Sequence, residues 1–228
     1  MARLKVIFWD IDGTLIRAGG AGELAWIRAL RDLYGVVVEN HGISWSGQTD
    51  PHVSHRFAEK YELPSSREDL EGFFDRYAEF LPAALEETQG EVLPGIPQIL
   101  ECIHEHQEIE QGLLTGNIRR GAELKLTHYG LKDYFILGGF ADGLYLRPEI
   151  AEQALRRARQ YWDSQLEGSE VLVIGDTPFD VECGRAIGAQ TMGVGTGFAP
   201  MENLEAANPD LLYPDLSDVP QVLKDLGL

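Results

Sequence analysis

A chain of 228 residues, 44% hydrophobic and 25% charged, has the composition of a folded, water-soluble protein with room for one domain or for a core carrying an insertion. Its formal net charge of −18 repels polyanions, which argues against nucleic acid as a partner, and no apolar run approaches the ~20 residues needed to span a bilayer. Cys102 and Cys183 are too few for a disulfide framework and lack metal-ligand spacing. A strand predicted to begin within four residues of Met1 leaves no room for a secretory signal, so a cytoplasmic location is expected.

The first apolar run, 4–8, reads as a buried strand and leads directly into Asp10-Ile11-Asp12-Gly13-Thr14. Two carboxylates one residue apart at the end of such a strand cost several kcal/mol unless a hard cation, or a reaction needing both acids, compensates. The plainer alternative is an Asx turn bent at Gly13.

Residues 17–90 show helical spacing and no convincing strand between Ile16 and Val92. Leu24, Ile27, Leu30 and Tyr34 repeat at helical intervals, as do Leu70, Phe73, Phe74, Tyr77, Phe80, Leu81 and Leu85. The second series follows Ser66, a helix cap with Asp69 three residues on. This stretch reads as a helical insertion that returns through Gly90 and Leu93-Pro94-Gly95, with the aromatic stripe as its own core. His52 and His55 lie three apart on a predicted helix and read as surface, while His104 and His106 do not share a face. No metal is assigned to a histidine.

Beyond the insertion, strands are predicted at 109–114, 134–137, 171–174, 191–194 and 211–213, and helices at 96–106, 119–129, 148–162 and 179–187. This alternation indicates an α/β protein with a parallel sheet and crossover helices. At the end of the second long strand stand Thr115, Gly116 and Asn117; a hydroxyl plus free amides at a helix N-terminus would make an anion site, and the plainer alternative, favoured for this segment alone, is an ordinary helix N-cap. Arg147 stands just before a helix, either as a surface charge or as a planar fork for a phosphoryl group. In Gly175-Asp176-Thr177-Pro178-Phe179-Asp180 a buried strand again ends in an acid, with a second acid one turn later. Asp180 could simply charge the helix N-terminus.

These segments, in order, resemble the motifs of the haloacid dehalogenase (HAD) superfamily of phosphohydrolases. Asp10-Ile11-Asp12-Gly13-Thr14 is similar to the first motif, Thr115 to the second, Arg147 to the basic third and Gly175 to Asp180 to the fourth. The insertion is similar to the helical cap of the phosphoglycolate-phosphatase-like branch, in which Gly47-Gln48-Thr49-Asp50-Pro51 and Leu93-Pro94-Gly95 also have counterparts. The resemblance covers nearly the whole chain, with arginine at 147 where many members carry lysine.

The resemblance implies a Rossmann-like parallel sheet flanked by helices, with a core formed by residues 1–16 and 91–228 and an α-helical cap at 17–90. It also implies a Mg²⁺-dependent phosphatase that acts on a small phosphorylated metabolite. Asp10 would attack phosphorus and form an aspartyl-phosphate, and Asp12 would serve as acid and then base. Asp10, Asp176 and the Asp12 carbonyl would bind the metal, with Asp180 supporting. Thr115, the Gly116 and Asn117 amides and Arg147 would hold the phosphoryl group. Gln48, Thr49 and Asp50 are the cap candidates for specificity. Two alternatives stay open. A phosphomutase would use the same carboxylates, and a silent binding scaffold is disfavoured by the full set of acids. A dehalogenase would not need Asp12.

Overall fold

A computed structural model describes residues 3–106, 108–197 and 199–228. The first strand, β1 (Val6–Trp9), is apolar and buried along its whole length, as expected of a parallel strand covered on both faces. It is followed by β2 (Ile16–Arg17), three helices, α1 (Ala21–Tyr34), α2 (Asp50–Tyr61) and α3 (Arg67–Glu87), and β3 (Glu91–Val92). The chain then alternates: α4 (Ile96–Glu105), β4 (Glu110–Leu114), α5 (Arg119–His128), β5 (Leu137–Gly139), α6 (Arg147–Tyr161), β6 (Val171–Gly175), α7 (Pro178–Ala186) and β7 (Gln190–Val194). It ends with α8 (Met201–Ala207), β8 (Leu211–Tyr213) and α9 (Val219–Leu226).

The six-stranded sheet has the order β5-β4-β1-β6-β7-β8, and every pairing in it is parallel. This is the α/β, Rossmann-like architecture expected from the alternation. From β1 the chain builds outward on one side through β4 and β5, then crosses to the other side for β6, β7 and β8. The reversal falls beside β1, and the crevice at the carboxyl ends of such strands is where open α/β sheets bind ligands.

Alternate residues of β1 serve opposite faces. Ile7 and Trp9 pack into one core with residues of α4, α5 and α9, and Val6 and Phe8 into another with residues of α6 and α7. Residues of α1, α2 and α3 form a third core around Trp26. Its indole meets Phe73, Trp45 and Tyr77 edge-on at centroid distances of 4.8, 5.0 and 5.3 Å. Edge-to-face pairs of this kind add roughly 0.5–1.5 kcal/mol each beyond their buried area. Ser66 and Asp69 form a reciprocal capping box at the start of α3. The antiparallel pair β2–β3 brings the two ends of this helical segment together.

The strand predicted at 134–137 lies further on. Lys132–Tyr134 forms a 3₁₀ turn, and pairing with β4 begins at Leu137 and runs through Gly138 and Gly139. A Cβ at Gly138 would lie 2.7 Å from the Leu113 Cβ and carbonyl oxygen, so the close approach of β5 to β4 requires glycine there. The helix predicted at 148–162 starts at Arg147, which becomes its first residue rather than a flanking one.

Candidate active site

Each acid-bearing segment leaves a buried parallel strand at its carboxyl end. Asp10 follows β1, and its backbone N–H donates to the Ile174 carbonyl oxygen at 2.9 Å. Asp176 follows β6 on the adjacent strand, and Thr115 follows β4 on the other side. Asp10, Asp176 and Thr115 are all buried. Asp180, in the first turn of α7, points back at the same place, and ligand oxygens of Asp10, Asp176 and Asp180 lie within 4.8 Å of one another.

Arg147 is the cation buried against this cluster. It forms an ion pair with Asp180, and its nearest approach to Asp10 Oδ1 is 3.8 Å. Its Nε is buried without a hydrogen-bond partner among the described residues. Asp180 is committed on both oxygens: Oδ1 to Arg147, and Oδ2 to the Thr177 N–H at 2.9 Å and hydroxyl at 2.7 Å. It therefore orients Arg147 and caps α7, leaving Asp10 and Asp176 as the carboxylates with free oxygens. Thr14 donates to Asp176 Oδ1 at 3.4 Å.

Burial raises Asp10 above the ordinary carboxylate value, with the Asp180 charge adding to it and Arg147 opposing. Asp176 is raised for the same reasons, burial first, then Asp180 and Asp10. Burial pulls Arg147 down, but the Asp180 and Asp10 charges outweigh it and the guanidinium stays charged. Three desolvated carboxylates against one guanidinium leave an excess of negative charge that a hard divalent cation with oxygen ligands would neutralise. The donor set fits such an ion.

At the end of β4 the side chains carry more than the amides do. Asn117 Nδ2 donates to Asp12 Oδ2 and to Thr115 Oγ1, both at 2.8 Å, and the Asn117 N–H donates to the same Thr115 oxygen at 3.3 Å. The two amides expected to hold an anion, Gly116 and Asn117, precede the helix, and of these the Asn117 N–H is the one with a protein acceptor, Thr115 Oγ1, among the described residues. The Ile118 N–H donates to Asp50 Oδ2 and the Arg119 N–H to Asp142 Oδ2, both at 2.8 Å, so protein carboxylates already occupy that helix end. Gly116 is glycine because the 47–50 loop crosses it: a Cβ there would run into the Gln48 carbonyl and come within 3.3 Å of Arg147.

Asp10, Asp12, Thr115, Gly116, Asn117, Arg147 and Asp176 all line one cavity of about 480 Å³, whose far wall belongs to the helical insertion and includes Trp45, Val53 and Tyr77. Gln48 and Asp50 also line it. Thr49 lies off the wall: it caps α2 by accepting from the His52 N–H at 3.3 Å, and its hydroxyl donates to the Tyr145 carbonyl at 3.1 Å. Burial pushes Asp50 up to about 7, against the Lys125 charge and the Ile118 hydrogen bond. No histidine joins the acidic cluster among the described residues.

Sequence reasoning missed Lys125. It lines the cavity, is buried, and bonds to both Asp12 and Asn117. Its signal was periodicity: it shares the buried face of α5 with Gly121, Ala122 and Leu126, where a lysine needs a partner.

The chain is similar in sequence and fold to known proteins. The sequence model of the family described as haloacid dehalogenase-like hydrolase matches residues 4–188. A putative pyrophosphatase PpaX of Caldanaerobacter subterraneus is 24% identical over 227 residues, covering 97% of this chain and 96% of that protein. A phosphoglycolate phosphatase of Vibrio parahaemolyticus is 25% identical over 230 residues, covering 96% of each. A crystal structure of a predicted phosphoglycolate phosphatase from Haemophilus somnus superposes with a TM-score of 0.72 at 20% identity, over 98% of this chain and 99% of that one.

Proposed function

The chain belongs to the haloacid dehalogenase-like hydrolase family, and we propose that it is a Mg²⁺-dependent phosphatase that hydrolyses a small phosphomonoester through an aspartyl-phosphate. The observation that carries this reading is the convergence of Asp10, Asp176, Arg147, Thr115 and Asp12 on one cavity. The relatives named for phosphoglycolate and pyrophosphate hydrolysis support the same class of chemistry.

Asp10 attacks phosphorus from the end of β1, and the ester oxygen leaves towards Asp12. Asp12 protonates that oxygen, then takes a proton from the water that hydrolyses the acyl phosphate. Arg147 and the Thr115 hydroxyl, which both line the cavity, stabilise the charge on the equatorial phosphoryl oxygens. Asp10, Asp176 and the Asp12 carbonyl would hold the metal, with Asp180 holding Arg147 in place. When bound, Mg²⁺ neutralises the buried carboxylates and polarises the phosphoryl group.

Residues 17–90 act as a cap that covers the cavity, excludes water and contacts the leaving group through Gln48 and Asp50. A site of this volume takes a small metabolite rather than a polymer.

The test is phosphate release from p-nitrophenyl phosphate, phosphoglycolate, glycerol phosphate, a hexose phosphate and pyrophosphate, each with Mg²⁺ and with EDTA. Turnover that requires Mg²⁺ and falls at least about 10³-fold in Asp10→Asn is expected. Turnover that survives EDTA, or release from no compound by folded protein, would overturn the reading.

A further inference from the structure

Lys125 lies on α5, outside the four motif segments, yet its ammonium is tied directly to the acid–base carboxyl. Nζ donates to Asp12 Oδ2 at 2.5 Å and to Asn117 Oδ1 at 2.7 Å. The Asn117 amide closes the ring by donating its Nδ2 to the same Asp12 Oδ2 at 2.8 Å. Lys125 is 5% exposed, and burying an ammonium is costly unless it is paired and hydrogen-bonded. The Asp12 side chain, by contrast, is 41% exposed and lines the cavity. Both donors meet Oδ2; Oδ1 accepts from no side chain among the described residues.

One oxygen of Asp12 is therefore held and the other is presented. An acid–base group must hold its reacting oxygen within hydrogen-bond reach of the proton's destination, and small misplacements are expensive in rate. A lone carboxyl at the mouth of a turn would rotate between positions; two donors on Oδ2 stop that rotation. Arg147 and Thr115 are assigned to the phosphoryl group in the reading above, so Lys125 is not needed for it.

We propose that Lys125 is the positioning residue of the proton-transfer step, fixing Asp12 through Oδ2, together with Asn117, so that Oδ1 faces the leaving-group oxygen. The inference rests on the phosphatase reading above. In that step the P–O bond to the ester oxygen breaks as the Asp10 oxygen–phosphorus bond forms. The bonding pair leaves with the ester oxygen, which receives the proton from Asp12 Oδ1. That oxygen then accepts a proton from the water that attacks the aspartyl-phosphate, which restores Asp10 and releases phosphate.

Leaving-group dependence separates positioning from mere packing. p-Nitrophenolate departs without a proton, whereas an alkoxide does not. For Lys125→Met, the single-turnover rate of alcohol release from the fastest alkyl phosphate of the panel should fall about 10- to 100-fold, a share of what general acid catalysis supplies. For p-nitrophenyl phosphate, the single-turnover rate of p-nitrophenolate release, which precedes the Asp12-dependent water attack common to both esters, should fall less than about threefold, and the half-saturating concentration of either ester should stay within about threefold. Lys125→Gln retains a donor and should recover part of the alkyl rate; it gives the same comparison if the methionine variant does not fold. Equal losses on the two esters, or no loss on either, would overturn the proposal. Failure of the wild type on every ester would instead sink the phosphatase reading, and this inference with it.

Discussion

Asp50 is a single residue with two attachments: its N–H donates to the Gly116 carbonyl and its Oδ2 accepts from the Ile118 N–H, both at 2.8 Å. Burial pushes its carboxyl up to about 7, and Asp10 and Asp176 are raised as well. A carboxyl raised in the folded state binds protons more tightly there than in the unfolded chain. Its contribution to stability is thus complete below the ordinary value of 3.8 and is lost as pH rises through about 7 for Asp50, with Asp10 and Asp176 acting in the same direction. A cation bound at Asp10 and Asp176 favours their ionised forms and reverses the trend. The Tm of EDTA-treated protein should fall between pH 5 and pH 8, and the stabilisation by Mg²⁺ should widen over the same range. A Mg²⁺ increment that shrinks as pH rises would contradict this account of the acidic cluster.

At the scale of elements, α5 is where sequence and structure part company most instructively. The strand ends that carry Asp10, Thr115 and Asp176 were legible because a buried apolar run followed by a polar residue is a local pattern. The role of α5 was not local. Its N-terminal amides are taken by Asp50 and Asp142, 68 and 23 residues away, and its lysine meets an aspartate 113 residues away. Periodicity places a residue on a face, but which side chain arrives opposite depends on the assembled fold. The same limit explains Thr49, whose partner Tyr145 is 96 residues distant. β5 was misplaced because its residues pair through glycines, which carry no strand propensity. Asp50→Ala should leave the Ile118 N–H unsatisfied and lower stability by about 1–3 kcal/mol. Because the 47–50 loop also borders the cavity, KM should rise while the sheet core stays intact by circular dichroism. A variant as stable as the wild type with unchanged KM would show that this loop is not held as described.

At the scale of the whole molecule, a chain of net charge −18 concentrates buried cations at one crevice: Arg147 beside Asp10 and Asp180 and Lys125 beside Asp12, 22 residues apart in sequence but lining the same cavity. The fold makes this possible because β1 lies at the reversal of strand order, with β4 and β6 as its neighbours. The helical segment between β2 and β3 closes the far wall with an aromatic core of its own. Among the described residues no helix is long and apolar enough to cross a membrane, in keeping with the composition. The α/β architecture was thus readable from alternating elements, while the cavity that unites them is a property of topology alone.

The central claim is that Asp10 is the nucleophile, and it is tested most directly by trapping the phosphoryl group on it. Asp12→Asn keeps the side-chain shape but cannot take a proton from water, so the acyl phosphate should accumulate when p-nitrophenolate leaves unaided. The variant would be mixed with p-nitrophenyl phosphate and Mg²⁺, quenched in acid, digested and mapped by mass spectrometry. The account predicts a phosphoryl group on Asp10, absent with EDTA and absent when Asp10→Asn is added. Phosphorylation of another residue, or p-nitrophenolate release undiminished by Asp10→Asn, would contradict it.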